Sequence, residues 1–233
     1  MFFQYDPELG NTFPQLLTGL VVVRDLPPDI DVQASTSRLL GDALCRLARG
    51  PEGEMPAIQA WRAAFSTMGL KPTQYRCASE ALLRRLRKDG VLPTLHPVVD
   101  VCNAASAAHA VPVAAFDIEK VVGQLTVRPA TGDEDYRTFG GTAETPNAGE
   151  IIFADDGGSA HARRWTNRQS AASAVSSRTR KALIVIEALH DDAEVDVSAA
   201  RDALANVFKE LGTEVRTGTL RSGTGQFAMD GER

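Results

Sequence analysis

The sequence predicts an α+β fold: a β-rich core, sandwich or barrel-like, flanked by helices in a single compact unit. Three observations carry that expectation. Short apolar runs bounded by Gly, Pro and Asp recur through the second half of the chain, as strands do. Several longer segments space their apolar residues three and four apart, as amphipathic helices do. The two kinds are mixed without the regular strand–helix alternation that a doubly wound parallel sheet requires.

Taken in order, GLVVV at 19–23 is the first strand. Pro27 and Pro28 break the chain. ASTSRLLGDALCRLARG then predicts a helix with Leu39, Leu40, Leu44 and Leu47 inward, ending at Gly50. A helix from Pro56 to Met68 puts Ile58, Trp61, Phe65 and Met68 on one face, with Gly69 as its stop. YRCASEALLRRLRKDG predicts a helix entered at Ser79 and ended by Gly90, with Leu82, Leu83 and Leu86 inward and Arg84, Arg85, Arg87 and Lys88 outward. HPVVDVCNAASAAHAV is a helix of small residues, suited to close packing, and Pro112 cannot continue it. Strands follow at VPVAAFD, QLTVRPA, EIIFADD and the buried run KALIVIEAL. Asp155-Asp156-Gly157-Gly158 is a turn that folds EIIFADD back against HARRW. VSAARDALANVFKELG is the last helix and TEVRTGTL the last strand. Residues 1–70 form a mixed N-terminal part packed on the core, 71–220 the main domain, and 221–233 a frayed tail.

Composition narrows the function. The chain has 25 Lys+Arg against 30 Asp+Glu and is 43% hydrophobic, which suits a soluble globular protein. It has no apolar run of membrane-spanning length and no evident signal peptide. Cys45, Cys77 and Cys102 are odd in number and isolated, which predicts neither a disulfide framework nor a zinc site and suits a reduced cytoplasm. No metal or cofactor is expected. A net charge of −5 argues against tight nucleic-acid binding through many phosphates, so any such contact is local or transient. Against that average, Gly157–Ile186 holds no Asp or Glu but contains Arg163, Arg164, Arg168, Arg178, Arg180 and Lys181. Such a stretch points to an anion.

LHPVVDVCNAASAAHAVPVAAFDIEKVVGQLTVRPATGDE resembles the signature of the editing domain of the phenylalanyl-tRNA synthetase beta subunit. Matching positions are Pro97, Val98, Val99, Asp100, Asn103, Pro112, Ala115, Phe116, Asp117, Arg128, Gly132 and Glu134, and the likeness runs over roughly residues 75–190. As a lone domain with SEALLRR and RRW blocks, the chain is most similar to free-standing relatives, the B-three/B-four domain proteins. The resemblance implies a hydrolase that deacylates a mischarged aminoacyl-tRNA in trans, binding the tRNA acceptor end transiently and the aminoacyl group as a small ligand. It implies Asn103 and Glu187 as the residues that orient the water and the amino group, with Cys102 standing where the family has threonine. Ala114 stands where the family has histidine, and Ala162-Arg163-Arg164-Trp165 replaces its glycine loop.

Each candidate also has a plain structural role. Arg163, Arg164 and Arg168 suit bidentate binding of a carboxylate or phosphate, and Trp165 suits stacking on the terminal adenine. Equally, they suit a strand with surface arginines and a core tryptophan. Asp100 suits a helix cap as well as a site. Glu187 lies inside an apolar strand, where a carboxylate is costly unless paired. Tyr75, Arg76, Ser79 and Glu80 are a helix entry that caps locally or grips the amino-acid end. The competing function is a non-catalytic module that holds an amino acid, small carboxylate or tRNA end in the same pocket, catalysis having gone with the histidine at Ala114.

Overall fold

A computed structural model describes residues 1–221 and 225–230, and within these it has six α-helices and twelve strands in mixed sheets, with no closed barrel. The strand with most burial organises it. β10, Ala182–Ala188, is buried along its whole length. It lies between β2, Leu17–Arg24, and β3, Val113–Asp117, and β2 also pairs with β11, Glu214–Arg221, to complete a four-stranded antiparallel sheet. A strand buried on both faces reads as an unbroken apolar run, which is why ALIVIEA shows no alternation.

The two faces of β10 have different partners. Ala182, Ile184 and Ile186 join the cluster containing Val101, Ala104 and Ala105 of α5, Pro97–His109, and Val197, Leu204 and Phe208 of α6, Ala193–Glu210. Leu183 and Val185 point the other way, into a cluster shared with Phe3, Val127 and Phe153. Those residues belong to the second sheet, whose six strands run β12 (Gln226–Ala228), β1 (Phe2–Tyr5), β4 (Leu125–Pro129), β7 (Ile151–Asp155), β8 (Ala160–Arg163) and β9 (Arg168–Gln169). Phe116 and Phe153 stack at 5.2 Å in this inter-sheet core, which places the predicted sandwich between the sheets. A short hairpin of β5, Tyr136–Arg137, and β6, Ala143–Glu144, forms its own two-stranded sheet and is tied to β9 by the Tyr136 hydroxyl, which donates to the Gln169 carbonyl at 2.9 Å.

β1 and β2 carry the N-terminal part into both sheets, so residues 1–70 enter the core. A first short helix, α1, Pro7–Thr12, is capped by Asp6, which accepts from the Glu8 N–H at 2.8 Å. α2, Gln33–Arg49, buries Leu39 and Ala43, while the expected inward Leu44 is 46% exposed. The i, i+4 pair sets the contact stripe, and Leu44, one residue further round, falls outside it. α3, Pro56–Thr67, buries Ile58, Trp61 and Phe65 as predicted, and α4, Ala78–Asp89, buries Leu83 and Leu86 and stops at left-handed Gly90. The His96 imidazole, accepting from the Val98 N–H at 3.3 Å, caps α5, and Pro97 occupies its first turn. The Asp155–Gly158 turn folds β7 onto β8 as predicted.

The expected frayed tail is corrected in its described part. Gln226–Ala228 pair with β1, and Met229 is 1% exposed. The short apolar pair Phe227 and Met229 has too little periodicity to announce a strand, but the open edge of β1 supplies the pairing. Residues 222–224 and 231–233 of that tail lie outside the described residues.

The turn after β4 is held by one carboxylate. Burial alone would raise the pKa of Glu134, but hydrogen bonds from the Thr131 N–H (2.9 Å), Arg128 Nη1 (2.6 Å) and the Gly132 N–H (3.1 Å) hold it down to about 2. A depressed carboxylate stabilises above its unfolded pKa, and that stability disappears as pH falls through the folded value. Glu134→Gln is therefore expected to cost about 1–2 kcal/mol at pH 7, measured by urea unfolding. The difference from wild type should vanish near pH 2. A cost that persists there would mean the carboxylate's charge is not what holds the turn.

Candidate functional site

Glu187 lies one residue before the end of β10, opposite Thr18 of β2, on the face that points between the sheets. It is 2% exposed. Tyr5 at the end of β1 donates its hydroxyl proton to Oε1 at 2.7 Å, and the Trp165 indole N–H donates to the same oxygen at 2.7 Å. With its own proton committed, the Tyr5 oxygen accepts from the Thr18 hydroxyl at 2.6 Å. Burial pushes the Glu187 pKa up to about 7, against the lowering effect of those two donors. Burial, and then the neighbouring carboxylate, push the Tyr5 phenol well above its ordinary value. Oε2 takes no hydrogen bond from a described residue, and Glu187 lines a cavity of about 70 Å³. Since both donors use Oε1, the proton of the neutral acid sits on Oε2, on the cavity side.

Ala114, Phe153, Ala162, Trp165 and Gln169 make up much of the cavity wall, with Arg168 at its rim. Gln169 bridges the sheets there, its amide donating to the Ala115 carbonyl at 2.6 Å. The wall position that the resemblance gives to histidine thus carries only a methyl group.

The basic block is not a free anion site. Arg163 is 5% exposed and clamped by carboxylates: Nε and Nη2 on Glu150 at 2.9 and 2.8 Å, and Nη1 on Glu144 at 2.7 Å. Arg164 lies over the Tyr75 ring at 4.7 Å, and its backbone N–H donates to Glu150. Arg168 shares Glu144 at 3.2 Å and is the one arginine of the three that reaches the cavity. For this block the acids absent from residues 157–186 are supplied from 144 and 150, out of reach of any local charge count. Trp165 is fully buried, edge-on to Trp61 at 5.0 Å and Phe13 at 5.1 Å, so it cannot stack on a nucleotide.

The helix entry is an ion cluster. Glu80, fully buried, accepts from Arg62 at 3.1 and 2.7 Å and lies 3.4 Å from Arg76 Nε. Ser79 is buried against the Cys77 thiol and does not cap the helix. Asn167 ties the block to the site by donating to the Arg76 carbonyl at 2.8 Å. Cys102 is buried among apolar residues, and burial drives its thiol pKa far up. Asn103 is on α5, beyond the opposite face of the four-stranded sheet, in a cleft that shares no lining residue with the Glu187 cavity. The expected Asn103–Glu187 pair is therefore not formed. Strand parity is the reason: Glu187 has the parity of Val185, whereas α5 packs on the face of Ile184 and Ile186.

Sequence reasoning missed Tyr5 and Thr18, which reach Glu187 only through the strand pairings of both sheets. It also missed the fully buried His161, 3.0 Å from Asp155, whose pKa burial lowers despite the carboxylate. Among the described residues no group of three or more His, Cys, Asp or Glu side chains is gathered for a metal, and no helix is long and apolar enough to cross a membrane.

The family described as the B3/4 domain matches residues 60–211, well over half the chain. The chain belongs to the B3/4 domain family. The B3/4 chain is 38% identical over 104 residues to the phenylalanine–tRNA ligase beta subunit of Nocardia farcinica, covering 44% of this chain and 12% of that protein. It is 30% identical over 87 residues to the same subunit of Fusobacterium nucleatum, covering 37% of this chain and 11% of that protein. The matched part thus spans about an eighth of each ligase subunit. Among solved structures, an N-terminal fragment of the phenylalanyl-tRNA synthetase beta subunit from Pyrococcus horikoshii superposes with a TM-score of 0.49 at 11% identity, covering 92% of this chain and 50% of that one.

Proposed function

We propose that this B3/4 chain hydrolyses an aminoacyl ester at the 3′ end of a mischarged tRNA, in the cytoplasm, with the acyl group in the Glu187 cavity. The observation that carries the reading is the state of Glu187: one oxygen anchored by two donors, the other open to the cavity, and a pKa of about 7. A buried base poised near working pH is suited to proton transfer. Oε2 takes a proton from water as its oxygen attacks the ester carbonyl. The bond to the ribose oxygen then breaks, and the proton passes to that oxygen, releasing amino acid and tRNA. Such an ester is labile, so a positioned water and a base suffice without a covalent nucleophile. A cavity of about 70 Å³ has room for a small side chain but not for a phenol ring, so the substrate class is a small aminoacyl group.

A second reading, binding without turnover, is favoured by Ala114, which leaves Glu187 without an imidazole or second carboxylate beside it among the described lining residues. Deacylation of tRNAs charged with glycine, alanine, serine or tyrosine separates the two. Turnover of a small aminoacyl species, reduced about 10²–10⁴-fold in Glu187→Gln, is the expected result. Saturable binding with no turnover by folded wild type would establish the second reading, and neither binding nor turnover would end both.

A further inference from the structure

We propose that the cleft between α2 and the start of α5 is a second binding site, for a small amphipathic amine. It is independent of the proposed hydrolysis, because the four-stranded sheet separates it from Glu187. The cleft measures about 350 Å³, within the roughly 300–1,000 Å³ of small-ligand pockets. Its apolar wall includes Ile30, Val32, Leu40, Leu92 and Pro93.

Two polar groups in it, the Asn103 amide and the Thr36 hydroxyl, make no hydrogen bond within the described fold. α5 buries Val98, Val101, Cys102, Ala104 and Ala105, and among these it places Asn103 half-buried at the cleft. The Asn103 amide makes no hydrogen bond to any described residue. On α2, Thr36 lines the same cleft, and its Oγ1 is buried without a partner. A buried unpaired hydroxyl such as Thr36 Oγ1 costs stability, and a polar group entering the cleft would find both that hydroxyl and the Asn103 amide on its lining.

Charge selects the ligand. Asp31 and Asp100 line the cleft, and no Lys, Arg or His does. Asp100 Oδ1 accepts from the Leu95 N–H at 2.8 Å, which fixes the 92–96 segment as one wall. Its other oxygen takes no hydrogen bond from a described residue. Two carboxylates beside an apolar wall attract an ammonium and repel a carboxylate or phosphate. An ammonium against Asp100, a short aliphatic body on the Leu40 side and a neutral carbonyl or amide against Asn103 match the charge, the apolar wall and the free amide of the cleft. A free amino acid fits poorly, because its carboxylate would face both aspartates.

Calorimetric titration of the full chain with isopentylamine, leucinamide, leucine and isovalerate tests this. The two amines without a carboxylate should bind saturably at one site, with leucine at least tenfold weaker and isovalerate silent. Asp100→Asn keeps an oxygen for the Leu95 N–H and should weaken both amines at least tenfold. Asn103→Ala should weaken leucinamide more than isopentylamine, and Asn103→Trp, which projects a large ring into the cleft without touching charge, should weaken both. Glu187→Gln should leave binding unchanged. Silence of both amines with folded wild type overturns the proposal. So does binding unaffected by the three cleft variants, or binding lost in Glu187→Gln instead.

Discussion

Glu187→Gln is expected to make the protein more stable than wild type at pH 8, by about 2–3 kcal/mol, while reducing the proposed hydrolysis about 10²–10⁴-fold. The stability effect follows from linkage. Burial carries the carboxyl pKa from 4.5 to about 7, so between those values the folded protein holds a proton that the unfolded chain has lost. Wild type therefore loses stability as pH rises through that window, at about 1.4 kcal/mol per pH unit. Glutamine is neutral throughout and presents an oxygen to Tyr5 and Trp165 in the same place, so both hydrogen bonds to Oε1 survive. The two proteins should match near pH 4.5 and diverge as pH rises. Buried His161 and Asp155 push the pH profile of both proteins alike and cancel in the difference. Urea unfolding of both proteins from pH 4.5 to 8 gives the result. A difference that is flat with pH would mean that Glu187 is not neutral when folded near pH 6, and the proposed base would lose its tuning. A stabilising loss of a buried acid is what a site retained for function leaves behind.

How far the sequence announces this site depends on the length of the signal. Whole elements with strong periodicity or firm stops were legible: α3 with Ile58, Trp61 and Phe65, α4 up to Gly90, and β10 as one buried run. Glu187 was legible because a carboxylate inside ALIVIEA conflicts with its surroundings, and such conflicts mark sites. Its partners were not. Tyr5 is 182 residues away and is brought in by the parallel β1–β4 pairing within the second sheet, a contact that no local pattern encodes. The RRW block misleads for the opposite reason: its positive charge is conspicuous along the chain, but Glu144 and Glu150 meet it in space. Asn103 misleads through parity, since one residue's shift in strand register exchanges the faces of a sheet. A motif that aligns two residues says nothing about which side of a sheet each one faces.

Trp165→Ala is expected to destabilise the protein by about 3–5 kcal/mol and to open the cavity to larger ligands. The indole is fully buried, edge-on to Trp61 and Phe13. The backbone adds to the case. Arg164 and Trp165 sit in the left-handed region at φ 47° and 58°, a conformation costing roughly 1–2 kcal/mol for each non-glycine residue. The resemblance places glycines in this loop, which would adopt it freely. Packing of the indole, its N–H bond to Glu187 and the Trp165 N–H to the Ile151 carbonyl at 2.7 Å offset that strain. Alanine keeps the strain and loses the packing, whereas glycine loses both. Trp165→Gly should therefore be the milder variant, by about 1 kcal/mol. Either change removes a donor that lowers the Glu187 pKa, so the fall in stability with pH should still begin near 4.5 but continue to higher pH than in wild type. Indole added in solution should bind the vacated space and raise the Tm of both variants but not of wild type. If alanine costs less than about 1 kcal/mol, or indole stabilises all three proteins equally, Trp165 is not the wedge that sets the size of the cavity. If both results hold and the glycine variant then accepts a tyrosyl ester that wild type refuses, the replacement of the glycine loop by Arg164-Trp165 is what narrows this site to small acyl groups.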